Sequence, residues 1–361
     1  MEPVRILVDS FADAGLPNAQ MGNAREIVAR LDPGRFHISM FALGRPDARI
    51  AGRENTRLIQ LPERRQTVRI LREFLWGRHE LLFYMKSAPA SRWYVSLRKN
   101  WNDCRPTIGT IESQCDCRNE PTLDPEGIRL WEQSVLRCDY LYSNSGSVQK
   151  SLEREYGLRS EIIPTGVDTN FFVPRWDRPS HSRARVLFVG SLRTYKQPQI
   201  LIEAAAQFPQ ADFRIAGDGP LAPELKRRIA ELQLRNVSLL GLLSAEKLRE
   251  EYQGSDIFLF PSKWEGSPKV ILEAAACGLP VIARNAYSPE TVLNGVTGYL
   301  AASEEEIFDY LRCLLENPAL RLELGRNGRR HSEEYDWCLI TRQWEGVFLQ
   351  LSRQGRARKA S

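Results

Sequence analysis

Val186-Leu187-Phe188-Val189-Gly190 is a short apolar run that ends on glycine, and a helical stretch, Pro198–Phe208, follows it. The pair recurs: Phe213-Arg214-Ile215-Ala216 then Pro223–Leu234, Val237–Leu240 then Ala245–Tyr252, Ile257–Phe260 then Pro268–Cys277, and Pro280–Ala283. Each short run is nearly continuous in apolar residues, so neither of its faces suits water. Strands buried on both sides and separated by helices predict a parallel sheet with helical covers on both faces.

The same grammar extends toward the N-terminus. Strands are predicted at Arg5–Val8, Phe36–Ala42, Leu81–Met85, Thr107–Ile111, Tyr140–Ser143 and Glu161–Pro164, with helices around 20–31, 66–76, 128–137 and 146–156. The fold class is therefore α/β, with two doubly wound parallel-sheet halves. The stretch Val173–Arg183 has two prolines, several charges and no hydrophobic period, as a connector does. A boundary near residue 176 gives domains 1–175 and 176–335. After Leu300 only helical patterns remain, at 303–316, 319–334 and 337–352, and no strand is left for the last to follow. Residues 353–361 hold Arg353, Arg356, Arg358 and Lys359 without an acid, which reads as a solvated, disordered end.

Composition narrows the function. The 361 residues suffice for two cores, and 42% hydrophobic with 26% charged residues is ordinary globular composition. Mean hydropathy is -0.39, and no apolar run approaches the roughly 18 residues that a membrane-spanning helix needs. Four of the +5 net charge lie in the final nine residues, so the body argues weakly for nucleic acid. Met1-Glu2-Pro3 leads straight into Val4–Val8, and seven cysteines fall without paired C-x-x-C clusters. A reducing, cytoplasmic protein without structural zinc is expected.

Ligands of open α/β sheets bind beyond the carboxyl ends of the strands, and two such halves would place a site in the cleft they face across. The richest such loop is Phe260-Pro-Ser-Lys-Trp-Glu-Gly-Ser-Pro-Lys-Val-Ile-Leu-Glu-Ala-Ala-Ala-Cys-Gly-Leu-Pro280. Ser267 suits an N-cap, Pro268 the first helical position and Gly278 the left-handed residue after the helix. That helix is apolar nearly all round, yet Glu273 interrupts it, and a buried carboxylate needs a partner. Glu273 reads either as a solvated surface residue or as an acceptor for ligand hydroxyls. The helix N-terminus with Gly266 and Ser267 suits a phosphate. Gly217-Asp218-Gly219 lacks the third glycine of a dinucleotide fingerprint, and G-x-x-x-x-G-K-[ST] is absent.

Glu265 and Glu273 stand eight apart in this loop-then-helix setting, which closely resembles the glutamate-x7-glutamate segment of retaining glycosyltransferases of the two-Rossmann (GT-B) fold, family 4. The likeness continues in Ile162–Pro174, Phe188–Lys196, Ile215–Pro220, Asn236–Gly241 and Asn294–Leu300. It is sharp from about residue 138 to 300 and diffuse before. The resemblance implies an acceptor-binding first domain, a nucleotide-sugar-binding second domain and a C-terminal helix, 336–352, crossing back to the first. It implies Glu273 on the donor ribose, Glu265 against the sugar, and Gly266, Ser267, Pro268 and Lys269 around the donor. Gly190, Ser191, Gly217 and Gly166 would line the donor loops. Lys196 would neutralise the leaving diphosphate, with Arg193 beside Ser191, where the family usually has an arginine. No cofactor or metal is implied, only a nucleotide diphosphate sugar as co-substrate, UDP-linked before GDP-linked, and a glycan, lipid-linked or small-molecule acceptor. An epimerase of the same fold and a silent sugar-nucleotide binding protein stay as alternatives.

The first half departs from the family's pattern at Asn18-Ala19 and at Glu112, both acceptor-side positions, where Gln20 also belongs. Glu112 reads either as orienting an acceptor hydroxyl or as capping a turn. Residues 64–99 carry nine Lys and Arg against two Glu, interleaved with Trp76, Trp93 and Tyr94. That stretch fits solvated helix faces, a peripheral contact with an anionic membrane at its inner face, or, less well, single-stranded nucleic acid.

Overall fold

The computed structural model describes residues 2–14, 19–115, 124–177 and 182–360. The chain divides into two compact units, Met1–Pro164 with Trp337–Ser361, and Thr165–Asp336.

The first unit is a seven-stranded parallel sheet in the order β3-β2-β1-β4-β5-β6-β7. Its strands are β1 (Val4–Phe11), β2 (Phe36–Ala42), β3 (Thr56–Gln60), β4 (Leu81–Met85), β5 (Thr107–Ile111), β6 (Tyr140–Ser143) and β7 (Glu161–Ile162). Between them run α1 (Ala19–Arg30), α2 (Ala48–Ala51), α3 (Gln66–Trp76), α4 (Pro89–Leu97), α5 (Pro125–Ser134) and α6 (Gly146–Tyr156). Every residue of β4 and β5 is buried; β4 is an unbroken apolar run, whereas β5 sets Ile108 and Ile111 among two threonines and a glycine. β3 was not among the expected strands: it is an edge strand with one buried residue, Ile59, so its apolar signal is slight.

The second unit is a six-stranded parallel sheet in the order β10-β9-β8-β11-β12-β13. Its elements alternate as β8 (Arg185–Val189), α7 (Gln199–Gln207), β9 (Asp212–Ala216), α8 (Ala222–Glu231), β10 (Val237–Gly241), α9 (Ala245–Gln253), β11 (Ile257–Phe260), α10 (Lys269–Ala276), β12 (Val281–Arg284) and β13 (Gly298–Ala301). Two helices, α11 (Glu304–Glu316) and α12 (Pro318–Glu333), complete it. β13, also unexpected, is a short edge strand that opens on glycine.

Three boundaries differ from expectation. The units part at Pro164–Thr165, earlier than residue 176, because the intervening chain packs on the second unit. The Val167 amide donates to Tyr335 O at 2.9 Å, Phe172 enters that unit's core, and the Arg329 guanidinium donates to Thr169 O and Phe172 O. Prolines and charges marked irregular chain there, and irregular chain need not be a boundary. The helix after β11 begins at Lys269 with Pro268 as its N-cap, so Ser267 does not cap it and no side chain bonds its first turn. Finally, the basic end is helical: α13 (Trp337–Ala360) continues through it, and Arg356 Nε and Nη2 donate to Glu80 at 2.7 and 3.1 Å. A partner just before β4 holds the helix where composition alone predicted disorder.

α13 follows no strand, yet Trp337, Ile340, Trp344, Phe348 and Leu351 fall at helical spacing and are buried in the first unit's core. Phe83 lies 4.8 Å from the Trp344 ring and 4.7 Å from that of Phe348. The last helix therefore covers one face of the first sheet.

Candidate functional site

In the second sheet the strand order reverses between β8 and β11, and the crevice at such a switch point is where open α/β sheets take ligands. The loop after β8 closes with a 3-10 turn, Thr194–Lys196, and Gln197 takes φ +51° to leave it. The loop after β11 zips onto that turn. The Lys263 amide donates to Tyr195 O at 2.8 Å, and the Tyr195 and Trp264 rings stack 6.5 Å apart.

This zip brings Lys196 to Glu265. The ammonium is paired with Glu265 Oε1, and the buried Ser262 hydroxyl donates to the same oxygen at 2.6 Å. The two side chains are only 14% and 12% exposed. Lys196 Nζ also lies 5.0 Å from the Phe260 ring centre, a cation–π contact that further fixes it. Nearby, the Tyr287 hydroxyl is buried without a hydrogen bond, and burial together with the Glu265 charge pushes its phenol well above the ordinary range. It therefore stays a neutral donor.

The floor of the crevice is built by glycines. Gly217 has φ +137°, and a Cβ there would stand 1.9 Å from Gly190 O. The Leu192 amide donates to Asp218 O at 2.9 Å, so the loops after β8 and β9 are pressed together. Gly217-Asp218-Gly219 is thus a close-approach turn. Arg193 and Ser191 lie on the β8 loop, with Arg193 exposed and in no ion pair among the described residues. Gly266 and Pro268 are buried, and Ser267 and Lys269 half-buried, where α10 begins with uncapped backbone amides.

Glu273 lies one turn into α10. Its Oε2 accepts from Tyr252 Oη at 3.0 Å, and burial raises its carboxyl pKa against the opposing pull of Lys269. The structure thus leaves Glu273 half-buried, with a protein partner on one oxygen. Gly166 is apart from these residues in its bonding: it is buried beside Val167, whose backbone pairs with Tyr335.

The first sheet reverses its order between β1 and β4, and a second pocket lies there, lined by Asp9, Ser10, Gln20, Tyr84, Lys86 and Trp131 among others. Asp9 is fully buried. Its Oδ2 accepts from the Lys86 amide at 3.1 Å and the Ser91 hydroxyl at 2.7 Å. Asp9 Oδ1 and Lys86 Nζ stand 3.6 Å apart, and both are buried without a hydrogen bond. Tyr84 holds φ +62°, a conformation that costs free energy for any residue but glycine. Its hydroxyl is hydrogen-bonded to Glu112 Oε1, and Asn23 Nδ2 donates to Oε2 at 2.9 Å. Glu112 is half-buried and holds Tyr84 and Asn23 through its two carboxylate oxygens. Gln20 lines the pocket, and Asn18 lies outside the described residues.

Sequence reasoning missed Asp9, Lys86, Ser262 and Tyr287. Asp9 had a readable signal, an acid ending an apolar strand. The others carry none, since a serine, a lysine or a tyrosine in a loop is common. Among the described residues no three His, Cys, Asp or Glu side chains converge as a metal-binding set, and no helix is long and apolar enough to cross a membrane.

Residues 175–331 match the model of the family described as glycosyl transferases group 1. The second unit belongs to that family. The chain is 29% identical over 281 residues to a D-inositol 3-phosphate glycosyltransferase of Corynebacterium efficiens, covering 68% of this chain and 66% of the relative. It is 30% identical over 192 residues to the sulfoquinovosyl transferase SQD2 of Arabidopsis thaliana, covering 49% of this chain and 37% of the relative. It thus spans between about a third and two thirds of the length of these curated relatives. Among solved structures, a sucrose-phosphate synthase from Thermosynechococcus elongatus aligns with a TM-score of 0.80 at 20% identity, covering 97% of this chain and 99% of that one. HepE of Anabaena, solved in complex with UDP, aligns at 0.75 and 18%, covering 96% and 100%. At such identities the likeness is one of fold, and the fold is GT-B.

Proposed function

We propose that the chain is a glycosyltransferase that moves a sugar from a nucleotide diphosphate sugar, UDP-linked before GDP-linked, to a hydroxyl of a glycan, lipid-linked or small-molecule acceptor with retention of anomeric configuration. The observation that carries the reading is the Lys196–Glu265 pair at the switch point of the group 1 unit. A departing nucleotide diphosphate gains negative charge in the transition state, and a cation already held in place stabilises that charge more than the ground state. Glu265 and Ser262 hold Lys196 ready; when a diphosphate takes the ammonium, Glu265 is released to accept from a sugar hydroxyl. Arg193 adds charge from the same loop, so no divalent cation is assigned a role. The uncapped start of α10 offers backbone N–H groups and the positive end of the helix dipole to phosphate. Glu273 would take the ribose hydroxyls with Oε1, keeping Oε2 on Tyr252.

UDP is put first because HepE, of the same fold, was solved in complexes with UDP and with UDP-glucose. The acceptor is assigned to the first unit's pocket, where Asp9 Oδ1 can accept from a hydroxyl and Lys86 Nζ can donate to it.

The test is a thermal-shift series with UDP, GDP and ADP, followed by assay of UDP release from UDP-sugars against acceptor extracts. A ligand at 100 times its dissociation constant stabilises by about 2.7 kcal/mol, a shift of a few degrees. UDP is expected to give that shift and Lys196→Ala to abolish transfer. A folded protein that no diphosphate shifts would sink the reading.

A further inference from the structure

The first unit carries a surface that the transferase reading does not use. α3 and α4 cover the same face of the sheet, joined through Phe74 and Tyr94, whose ring centres lie 5.2 Å apart. Their outward sides form two stripes. On α3, Val68, Arg72 and Trp76 fall at i, i+4 and i+8. α4 runs directly into a 3-10 turn, Arg98–Trp101, so Trp93, Leu97 and Trp101 repeat that spacing. Trp76 is 73% exposed, Trp101 52%, Trp93 50% and Val68 64%. Trp76, Trp101 and Trp93 are the three most exposed of the chain's eight tryptophans. Trp76 and Trp101 line one surface cavity, so the stripes meet at that end.

The charge on this face is predominantly positive. Arg64, Arg65, Arg72, Arg78 and Lys99 are exposed, and Arg92 is half-exposed beside the Trp93 ring. The acids of the segment are spent elsewhere: Glu73 on Arg57 and His79, Glu80 on Arg356, Asp103 on Arg105. Glu63 alone remains exposed. Large indoles standing in water next to unpaired arginines are unfavourable for a free surface and favourable for one that meets an interface. Tryptophan settles at the boundary of headgroups and acyl chains, and arginine can lay its stem on apolar surface with its charge among anionic headgroups.

We propose that α3, α4 and the Arg98–Trp101 turn dock the first unit on an anionic lipid bilayer. The docking stands independently of catalysis. α4 also joins this face to the pocket: Ser91 on its inner side bonds Asp9, while Trp93 is on its outer side. A lipid-linked acceptor follows from that link, and this step alone rests on the transferase reading.

The experiment is sedimentation of the whole chain with phosphatidylcholine vesicles and with mixed phosphatidylcholine–phosphatidylglycerol vesicles, no donor or acceptor being present. Binding is expected to the mixed vesicles only and to weaken with salt, as electrostatic docking requires. The W76A/W93A/W101A variant should bind about tenfold or more weakly, because interfacial affinity scales with the apolar area inserted. R72E/R92E/K99E should do likewise, and both variants should melt as the unmutated protein does, since they change side chains that are exposed or, for Arg92, half-exposed. Equal binding to both vesicle types, no binding to either, or unchanged binding by the two variants overturns the proposal. Capture of a single-stranded oligonucleotide through the same residues, without vesicle binding, overturns it in favour of nucleic acid. UDP binding is unaffected by any of these outcomes, so failure here is distinct from failure of the transferase reading.

Discussion

The Lys196 ammonium rests on Glu265 Oε1, the same oxygen that takes the buried Ser262 hydroxyl. The cation is therefore positioned by the protein before any ligand arrives. Stabilisation of developing charge is most effective when the stabilising group does not have to reorganise at the moment of reaction. Lys196→Ala should lower kcat by about 10²–10³, the range seen when one fixed donor to a developing anion is removed, with a smaller change in donor KM. Glu265→Gln should keep Lys196 less firmly placed and lose rate with nucleotide binding retained. Steady-state kinetics of UDP release separate the two, and a Lys196→Ala enzyme of full rate would remove the residue from the mechanism.

Glu273 makes stability depend on pH. Burial raises its carboxyl pKa in the folded state above the unfolded value. A folded state that holds the proton more tightly is favoured at low pH and loses that advantage as pH rises from the ordinary glutamate range through the raised pKa. Glu273→Gln keeps an acceptor for Tyr252 and removes the charge. The variant should melt like the unmutated protein in acid and increasingly above it toward neutral pH, while binding UDP more weakly. Melting temperatures across pH check the first statement and titration with UDP the second. Parallel melting curves would mean that the carboxylate is ionised at no cost.

How far the sequence revealed this molecule varied by element. Strands buried on both faces, such as β4, β8 and β11, announce themselves as unbroken apolar runs, and their spacing by helices sets the parallel topology. β3 and β13 were missed because an edge strand buries few residues and leaves a weak pattern. The loop from Phe260 to Pro280 stood out through glycine, proline and paired glutamates in an apolar setting. Ser262, Tyr287 and Lys86 did not, because their roles come from the loops that pack against them. The basic end defeated composition for a related reason: its order depends on Glu80, far away in sequence.

Gly217 tests how tightly the donor loops must fit. Its φ of +137° lies outside the range comfortable for other residues, and a methyl there would meet Gly190 O at 1.9 Å. Backbone cannot swing aside as a side-chain end can, so the β8 and β9 loops would have to separate. Gly217→Ala should destabilise by more than about 1 kcal/mol, the usual scale for alanine forced to positive φ. It should also weaken UDP binding, since Gly190 and Ser191 move with the loop. Denaturant unfolding and UDP titration are the measurements, and a variant normal in both would show that the loops have slack.

Asp9 and Lys86 make the sharpest case for the first unit. Two buried groups of opposite charge 3.6 Å apart are close enough to compensate one another, yet Oδ1 and Nζ make no hydrogen bond. Such an arrangement is costly unless something polar completes it, and an acceptor hydroxyl, donating to one and accepting from the other, would do so. Asp9→Asn leaves the ammonium without its counter-charge, and removing one member of a buried pair costs about 3–5 kcal/mol. Lys86→Met leaves the carboxylate alone and should cost a similar amount. Replacing both at once, Asp9→Asn with Lys86→Met, leaves no uncompensated charge, so stability should return toward the unmutated value. Transfer should not return with it: acceptor KM should rise at least tenfold in the double variant, while UDP binding, which belongs to the other unit, stays unchanged. Full acceptor affinity in a stable double variant would show that the pair serves the fold alone.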